Sequence, residues 1–186
     1  MTSEKKIQPW LEVGYELFTT YGLEGLKVEK MANIIGKSRS SFYHHFADIE
    51  IFTEMLLQVH TERSALIAER EQACETLVPD LIEVLVAFKK DLLFSRQLRV
   101  HRHIKAFRRC FESVNEKVGG AFFEVWARDL GLSEEKQIAE GLLDLIMDNF
   151  YLQITEENLN AAWLTEYVNG IKSFASQIQH PGVRQE

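Results

Sequence analysis

The sequence predicts an all-α chain, and three observations carry that expectation. Apolar residues recur at spacings of three and four, the period of one helix face. No run of alternating β-branched residues marks a strand. Proline stands only at positions 9, 79 and 181 of the 186 residues, so nothing between 80 and 180 breaks a helix by that route.

Ile7, Trp10, Leu11, Gly14, Leu17, Phe18 and Tyr21 share one face of a first helix, which Gly22 stops. Val28, Met31, Ala32 and Ile35 mark a short second helix ending at Gly36. Ser38 caps a third over 39–45, its hydroxyl taking the first free amides. Asp48 caps a fourth that runs through Phe52, Met55, Leu56, Val59 and Leu66 to residue 71. Pro79 suits the first turn of a fifth, which Leu81, Leu85, Phe88 and Leu92 continue. Further helices are expected over 97–111, 114–130, 133–154 and 159–178. Gly131 and Ser133 act as stop and cap between two of them, and Pro181 closes the last. The total is nine helices.

Apolar residues make up 46% and charged residues 26%, which excludes a disordered or collagen-like chain. No apolar run approaches the ~20 residues that span a bilayer. The start, MTSEKKIQPW, has no apolar h-region, so no signal peptide is expected. Cys74 and Cys110 are too few for a disulfide scaffold or a thiolate zinc site. A soluble, cytoplasmic protein without a membrane span is the expectation. The net charge of −7 is unevenly spread. Residues 1–47 hold six basic against five acidic groups, 48–109 ten of each, and 110–186 five against thirteen. DNA would repel the acidic C-terminal half, so any nucleic-acid contact is assigned to the N-terminal end.

The span 28–46 is the informative one. Two helices joined by a tight turn need a small residue where they cross, and Ala32 provides it. Four residues later Gly36 supplies a residue that tolerates positive φ. Met31, Ile35 and Phe42 give the apolar contacts between the helices. This is helix-turn-helix spacing, in which the second helix lies in the major groove. Arg39, Ser40, Tyr43 and His44 point outward from that helix, all able to bond bases or phosphates. Residues 27–46 sum to +3, Lys27, Lys30, Lys37 and Arg39 against Glu29. A plain αα-hairpin with a solvated basic face shows the same spacing.

The segment Gly22-Leu-Glu-Gly-Leu-Lys-Val-Glu-Lys-Met-Ala, followed by Gly36-Lys-Ser-Arg-Ser-Ser-Phe-Tyr-His-His-Phe46, resembles the N-terminal domain of TetR-family transcriptional regulators. Ser38, Phe42, Tyr43, His45 and Phe46 are its most diagnostic part. The likeness is motif-specific over about residues 7–60, while helix count and length fit the family throughout. It implies an all-α chain with a DNA-binding domain at 1–47, the helix-turn-helix falling at about 27–46. It further implies an effector-binding and dimerisation domain at 48–186. Lys27, Lys37, Ser38, Arg39, Ser40, Ser41, Tyr43 and His44 become the DNA-binding candidates, and double-stranded DNA the partner. Arg102, Phe107, Phe122, Trp126 and Phe150 become the effector-pocket candidates. Four positions depart from the family pattern. Lys27 stands for the usual capping Ser or Thr, Lys37 for an apolar turn residue, Ser40 for a glycine, and Ile49 for a phosphate-binding lysine.

Other features weigh less. His101 and His103 are two apart, and His44 and His45 adjacent, so neither pair shares a helix face as metal ligands would. No metal and no cofactor is expected. The stretch 96–109 holds Arg96, Arg99, Arg102, Lys105, Arg108 and Arg109 without an acid. On one continuous helix Arg102, Lys105 and Arg109 would share a face. Ion pairing to Glu12 and Glu16 is the plain account of this stretch. An anionic effector or support of DNA phosphates are the alternatives. Segment 142–152 is apolar nearly all round and must bury two faces, one of them against a partner. Leu142, Leu145, Trp163, Tyr167, Ile171 and Phe174 are therefore the homodimer-interface candidates.

The expected protein is a homodimeric repressor that leaves a palindromic operator when an apolar or amphipathic effector binds. No catalytic constellation is present: no G-x-S-x-G elbow, phosphate-binding glycine loop or H-E-x-x-H. An all-α ligand carrier or enzyme with a vestigial helix-turn-helix is the alternative.

Overall fold

The computed structural model describes residues 3–132, 134 and 136–179, and among these the regular structure is entirely helical. The α-helices are α1 Ser3–Tyr21, α2 Val28–Ile35, α3 Arg39–His45, α4 Ile49–Gln72, α5 Ile82–Ala87, α6 Lys89–Val100, α7 Lys105–Asp129, α8 Lys136–Gln153 and α9 Ala161–Gln179. None of the described helices is long and apolar enough to cross a membrane. The expected Ser133 cap and Pro181 stop lie outside the described residues.

Several boundaries follow local chemistry. The Asp48 carboxylate accepts from the Ile51 amide at 2.8 Å and starts α4. Asn160 does the same for α9, accepting from Trp163 at 3.0 Å. Gly131, at φ 68°, ends α7. Pro79 follows the extended Val78 and opens the helical turn that runs through Leu81 into α5, as a first-turn proline does. Others differ from expectation. Helix α1 begins before Ile7, so Pro9 lies inside it and withholds one amide. The single helix expected through Phe88 is two, because Phe88 leaves helical geometry at φ −103°, ψ 25°. The break expected near 112 is absent. It lies at 101–104 instead, and α7 then runs through Gly119 and Gly120 unbroken.

The chain forms two compact units. The first comprises 1–65 and 90–115, the second 66–89 and 116–186. Trp10, Phe18, Met31, Phe42, Phe46, Phe52, Leu56, Phe94 and Leu98 are the largest fully buried side chains of the first unit. Helices α1 and α4 approach closely: a Cβ on Gly14 would stand 2.4 Å from the Phe52 ring, so no larger residue fits. A buried polar network ties α1, α4 and α6 of this unit. The Tyr15 hydroxyl donates to Asp91 at 2.7 Å, and Arg63 grips the same carboxylate through two nitrogens at 2.5 and 2.7 Å. With the tyrosine proton committed to Asp91, His60 donates from Nδ1 to the Tyr15 oxygen at 2.7 Å. Its Nε2 then accepts from Ser95 at 3.0 Å. Burial holds His60 neutral, its pKa pushed down to about 4.

In the second unit Trp126, Leu77, Leu81, Ile154, Leu159 and Leu164 are buried. Asp80 accepts the amides of Glu75 and Thr76, each at 3.0 Å, which organises the turn before α5 and lowers its own pKa. Glu71 is buried with Oε2 lacking a partner, and burial pushes its carboxyl up to about 8.

Candidate nucleic-acid interface

Helices α2 and α3 are positioned by two local devices and one anchor. Gly36 takes φ 65°, ψ 36°, and two reverse bonds close α2: Lys37 N–H to the Ala32 carbonyl at 2.9 Å and Gly36 N–H to Asn33 at 3.3 Å. A non-glycine residue there would meet no neighbour, so the requirement for glycine is the backbone angle alone. Two residues on, Ser38 caps α3, its Oγ accepting from the Ser41 amide at 3.2 Å and sharing a hydrogen with Ser40 Oγ at 2.8 Å. Phe42 is the anchor. It is fully buried, edge-on to Trp10 at 5.3 Å and packed with Phe46 and Phe52 at 4.8 and 5.3 Å.

Burying Phe42 turns the opposite face of α3 outward. Lys37, Ser38, Arg39, Ser40, Tyr43 and His44 are all exposed, and Ser41 is half-buried. No carboxylate interrupts the chain from Met31 to Ala47, so this face presents only donors and neutral groups. Lys27 begins α2 without a side-chain cap, as its departure from a hydroxyl residue implies, and pairs loosely with Glu24 at 3.8 Å. An exposed pair of that length contributes little and leaves the ammonium free for another anion. Lys30 is engaged differently, its ammonium 3.7 Å above the Tyr21 ring. The His44 and His45 rings diverge, 67° between planes. Among the described residues no group of three or more His, Cys, Asp or Glu is placed to hold a metal.

The other sequence-derived candidates are sorted by the two units. Arg102 and Phe107 fall in the first unit, and Phe122, Trp126 and Phe150 in the second. Arg102 is exposed on the turn 101–104, whereas Phe107 is buried edge-on to Phe18. Arg102 therefore lies outside α7 and shares no helix face with Lys105 and Arg109, a correction caused by the turn. Trp126 is buried and Phe122 half-buried, while Phe150 packs against the stacked pair of Trp163 and Tyr167, at 6.2 and 5.7 Å.

All six interface candidates come together. Leu142, Leu145, Trp163, Tyr167, Ile171 and Phe174 line one open groove of about 620 Å³ along α8 and α9. Leu145 is 72% exposed and Phe174 53% exposed, which leaves a large apolar surface in water. The Tyr167 hydroxyl reaches the Ile146 carbonyl and Asn149 Oδ1, both at 3.1 Å, and burial raises its pKa to about 12. The ion pairs expected between 96–109 and the first helix take other forms. Glu16 binds Lys90, and Glu12 accepts from Gln8 at 3.1 Å. Sequence reasoning missed that Lys90 was the available cation, because the break at Phe88 reset the helix phase.

No protein-family model matches the chain, and no curated protein matches it. Solved structures do. A TetR/AcrR-family transcriptional regulator from Aquifex aeolicus VF5 matches at TM-score 0.61 and 20% identity, over 93% of this chain and 99% of that one. A transcriptional regulator from Saccharomonospora viridis, in complex with choline, matches at 0.63 and 12%, over 99% and 100%. A TetR-family regulator from Mesorhizobium loti MAFF303099 matches at 0.55 and 12%, over 96% and 98%. The chain thus has the all-helical fold of TetR/AcrR-family regulators along nearly its whole length.

Proposed function

We propose that this chain is a DNA-binding transcriptional regulator of the TetR/AcrR type, acting as a repressor released by a small molecule. The observation that carries the reading is the α2–α3 unit: a left-handed glycine turn, a serine-capped second helix fixed by Phe42, and an outward face with no acid. Residues 1–47 take the DNA-reading role and 48–186 the sensing and dimerising role. One seven-residue helix touches few base edges, so two copies a duplex turn apart are needed. The α8–α9 groove supplies the dimer surface, since both of its helices leave apolar side chains in water. That a regulator of this fold holds choline supports a small-molecule effector here. The effector acts by binding better to a form whose half-site spacing no longer fits the operator. The setting is cytoplasmic, with no cofactor and no chemistry of its own.

Roles within the surface are separable. Arg39 opens α3, where side chains meet base edges, and Arg39→Ala is expected to cost about 1–3 kcal/mol on operator duplex with little loss on scrambled duplex. Lys27→Ala is expected to weaken both duplexes alike and to flatten the salt dependence. Fluorescence anisotropy of both variants on a duplex selected from a random pool tests this. Identical behaviour of the two variants overturns the assignment of α3 as the reading helix. Failure of the wild type to retain any duplex at low salt favours the carrier or enzyme reading.

Leu145→Asp is expected to convert the roughly 43 kDa dimer, twice 21.6 kDa, to monomer without unfolding it. A buried uncompensated charge at the interface costs more than the apolar packing it replaces. Sedimentation equilibrium reads the change; a wild type that sediments as monomer at micromolar concentration removes the interface proposal.

A further inference from the structure

Resting on the reading above, we propose that the turn 101–104 and the first turns of α7 form a second DNA-contacting surface, which binds backbone phosphates flanking the half-site. Four observations support it. Arg102, His103, Lys105, Arg108 and Arg109 are all exposed. No carboxylate stands between Asp91 and Glu112 in the chain. Arg102, Lys105, Arg108 and Arg109 have no ion-pair partner among the described residues, whereas Lys27, Arg63, Lys89, Lys90, Lys136 and Lys172 each have one. Unpaired cations concentrated at one place in a chain of net charge −7 form a local positive field, of the same sign as that of the acid-free α2–α3 face.

The fourth observation is position. This stretch belongs to the same compact unit as α2 and α3. Gln97 donates to the Thr19 carbonyl at 3.2 Å, and a Cβ on Gly22 would meet His101 at 2.9 Å. The end of α6 and the basic turn are therefore seated against the last turn of α1. From the same place the chain leads through Gly22–Gly25 into Lys27, and the adjacent Tyr21 carries Lys30 on its ring. Lys105, Arg108 and Arg109 stand at i, i+3 and i+4 and share a face of α7, opposite the buried Phe107 and Cys110. Flexible cationic side chains without a shaped cavity suit phosphates on a backbone, which need charge within reach more than fixed geometry.

The test uses the full-length Arg102→Gln/Lys105→Gln/Arg108→Gln variant, three exposed positions whose change leaves the core untouched. Its binding is compared with wild type on the selected duplex, trimmed to the half-sites or carrying ten extra base pairs at each end, over a potassium chloride series. The variant's log-affinity versus log-salt slope is expected to fall by roughly one unit for each phosphate it no longer neutralises. The fall is expected on the extended duplex and on a scrambled one of equal length, and to shrink on the trimmed one. An unchanged slope in a variant that melts like wild type overturns this inference and leaves the proposed function standing. An unchanged slope, with decanoate raising the melting temperature of the wild type and not of the variant, assigns the patch to a free anion instead, and also overturns it. A wild type that binds no duplex defeats the underlying reading itself.

Discussion

Asp91→Ala is expected to destabilise the protein by on the order of 3 kcal/mol, the lower end of the range for breaking a buried charged network. The carboxylate is 1% exposed and accepts from Tyr15 and from both arms of Arg63. Arg63 is 47% exposed and turns to water once its partner is gone, so its share of the loss is small. Tyr15 has no such exit. Its hydroxyl proton loses its acceptor inside the core, and the Nδ1–H···O bond from His60 loses the geometry that oriented it. Thermal melting is expected to show a drop of roughly 6–12 °C, at 2–4 °C per kcal/mol for a chain of this size. Asp91→Asn keeps one acceptor for Tyr15 and is expected to fall between the two. Melting of Asp91→Ala within a degree of wild type shows that the network contributes specificity alone.

The second large effect is a pH dependence of opposite sign at two buried groups. Glu71, raised to about 8 from an unfolded value near 4.5, keeps its proton in the folded form while the unfolded chain releases it. Stability therefore falls as pH rises from about 4.5 to 8, by about 1.4 kcal/mol per unit at the steepest. His60, lowered to about 4 from 6.5, refuses a proton in the folded form that the unfolded chain accepts. That contribution is lost as pH falls from 6.5 to 4. Between 4.5 and 6.5 the two slopes oppose each other, and from 6.5 to 8 only that of Glu71 remains. Glu71→Gln is expected to flatten the upper limb and to raise stability at pH 8 by on the order of 3 kcal/mol. Urea unfolding at half-unit pH steps measures it; a variant limb as steep as wild type removes Glu71 as the cause.

The parts of the fold that were legible in the sequence are those whose signals are local. Gly36 and Ser38 announce a left-handed stop and a hydroxyl cap within three residues, so α2 and α3 take the expected bounds. Asp48 announces α4 in the same way. Phe88 carries no such mark: it is neither glycine nor proline, yet it leaves helical geometry. Gly119 and Gly120 mislead in the opposite sense, since both lie inside α7 with open space beside them. The network at Asp91 was illegible because His60 and Asp91 are 31 positions apart in the numbering and no period links them. The groove along α8 and α9 was legible because a helix apolar on two faces states its own need for a second covering. The pocket candidates were not, because aromatic residues at helical spacing look alike whether they wall a cavity or fill a core.

Seven residues is well below the ~12–15 at which an isolated helix holds in water, so the order of α3 is a property of the core beneath it. Phe42 and the Ser38 cap fix the helix at the moment of folding, and no ordering remains to be done when its outer face meets another molecule. Association through such a face carries the heat-capacity change of the buried interface alone, without the larger one that accompanies coupled folding. Its encounter rate is then set by diffusion and charge, with no waiting time for a conformational step.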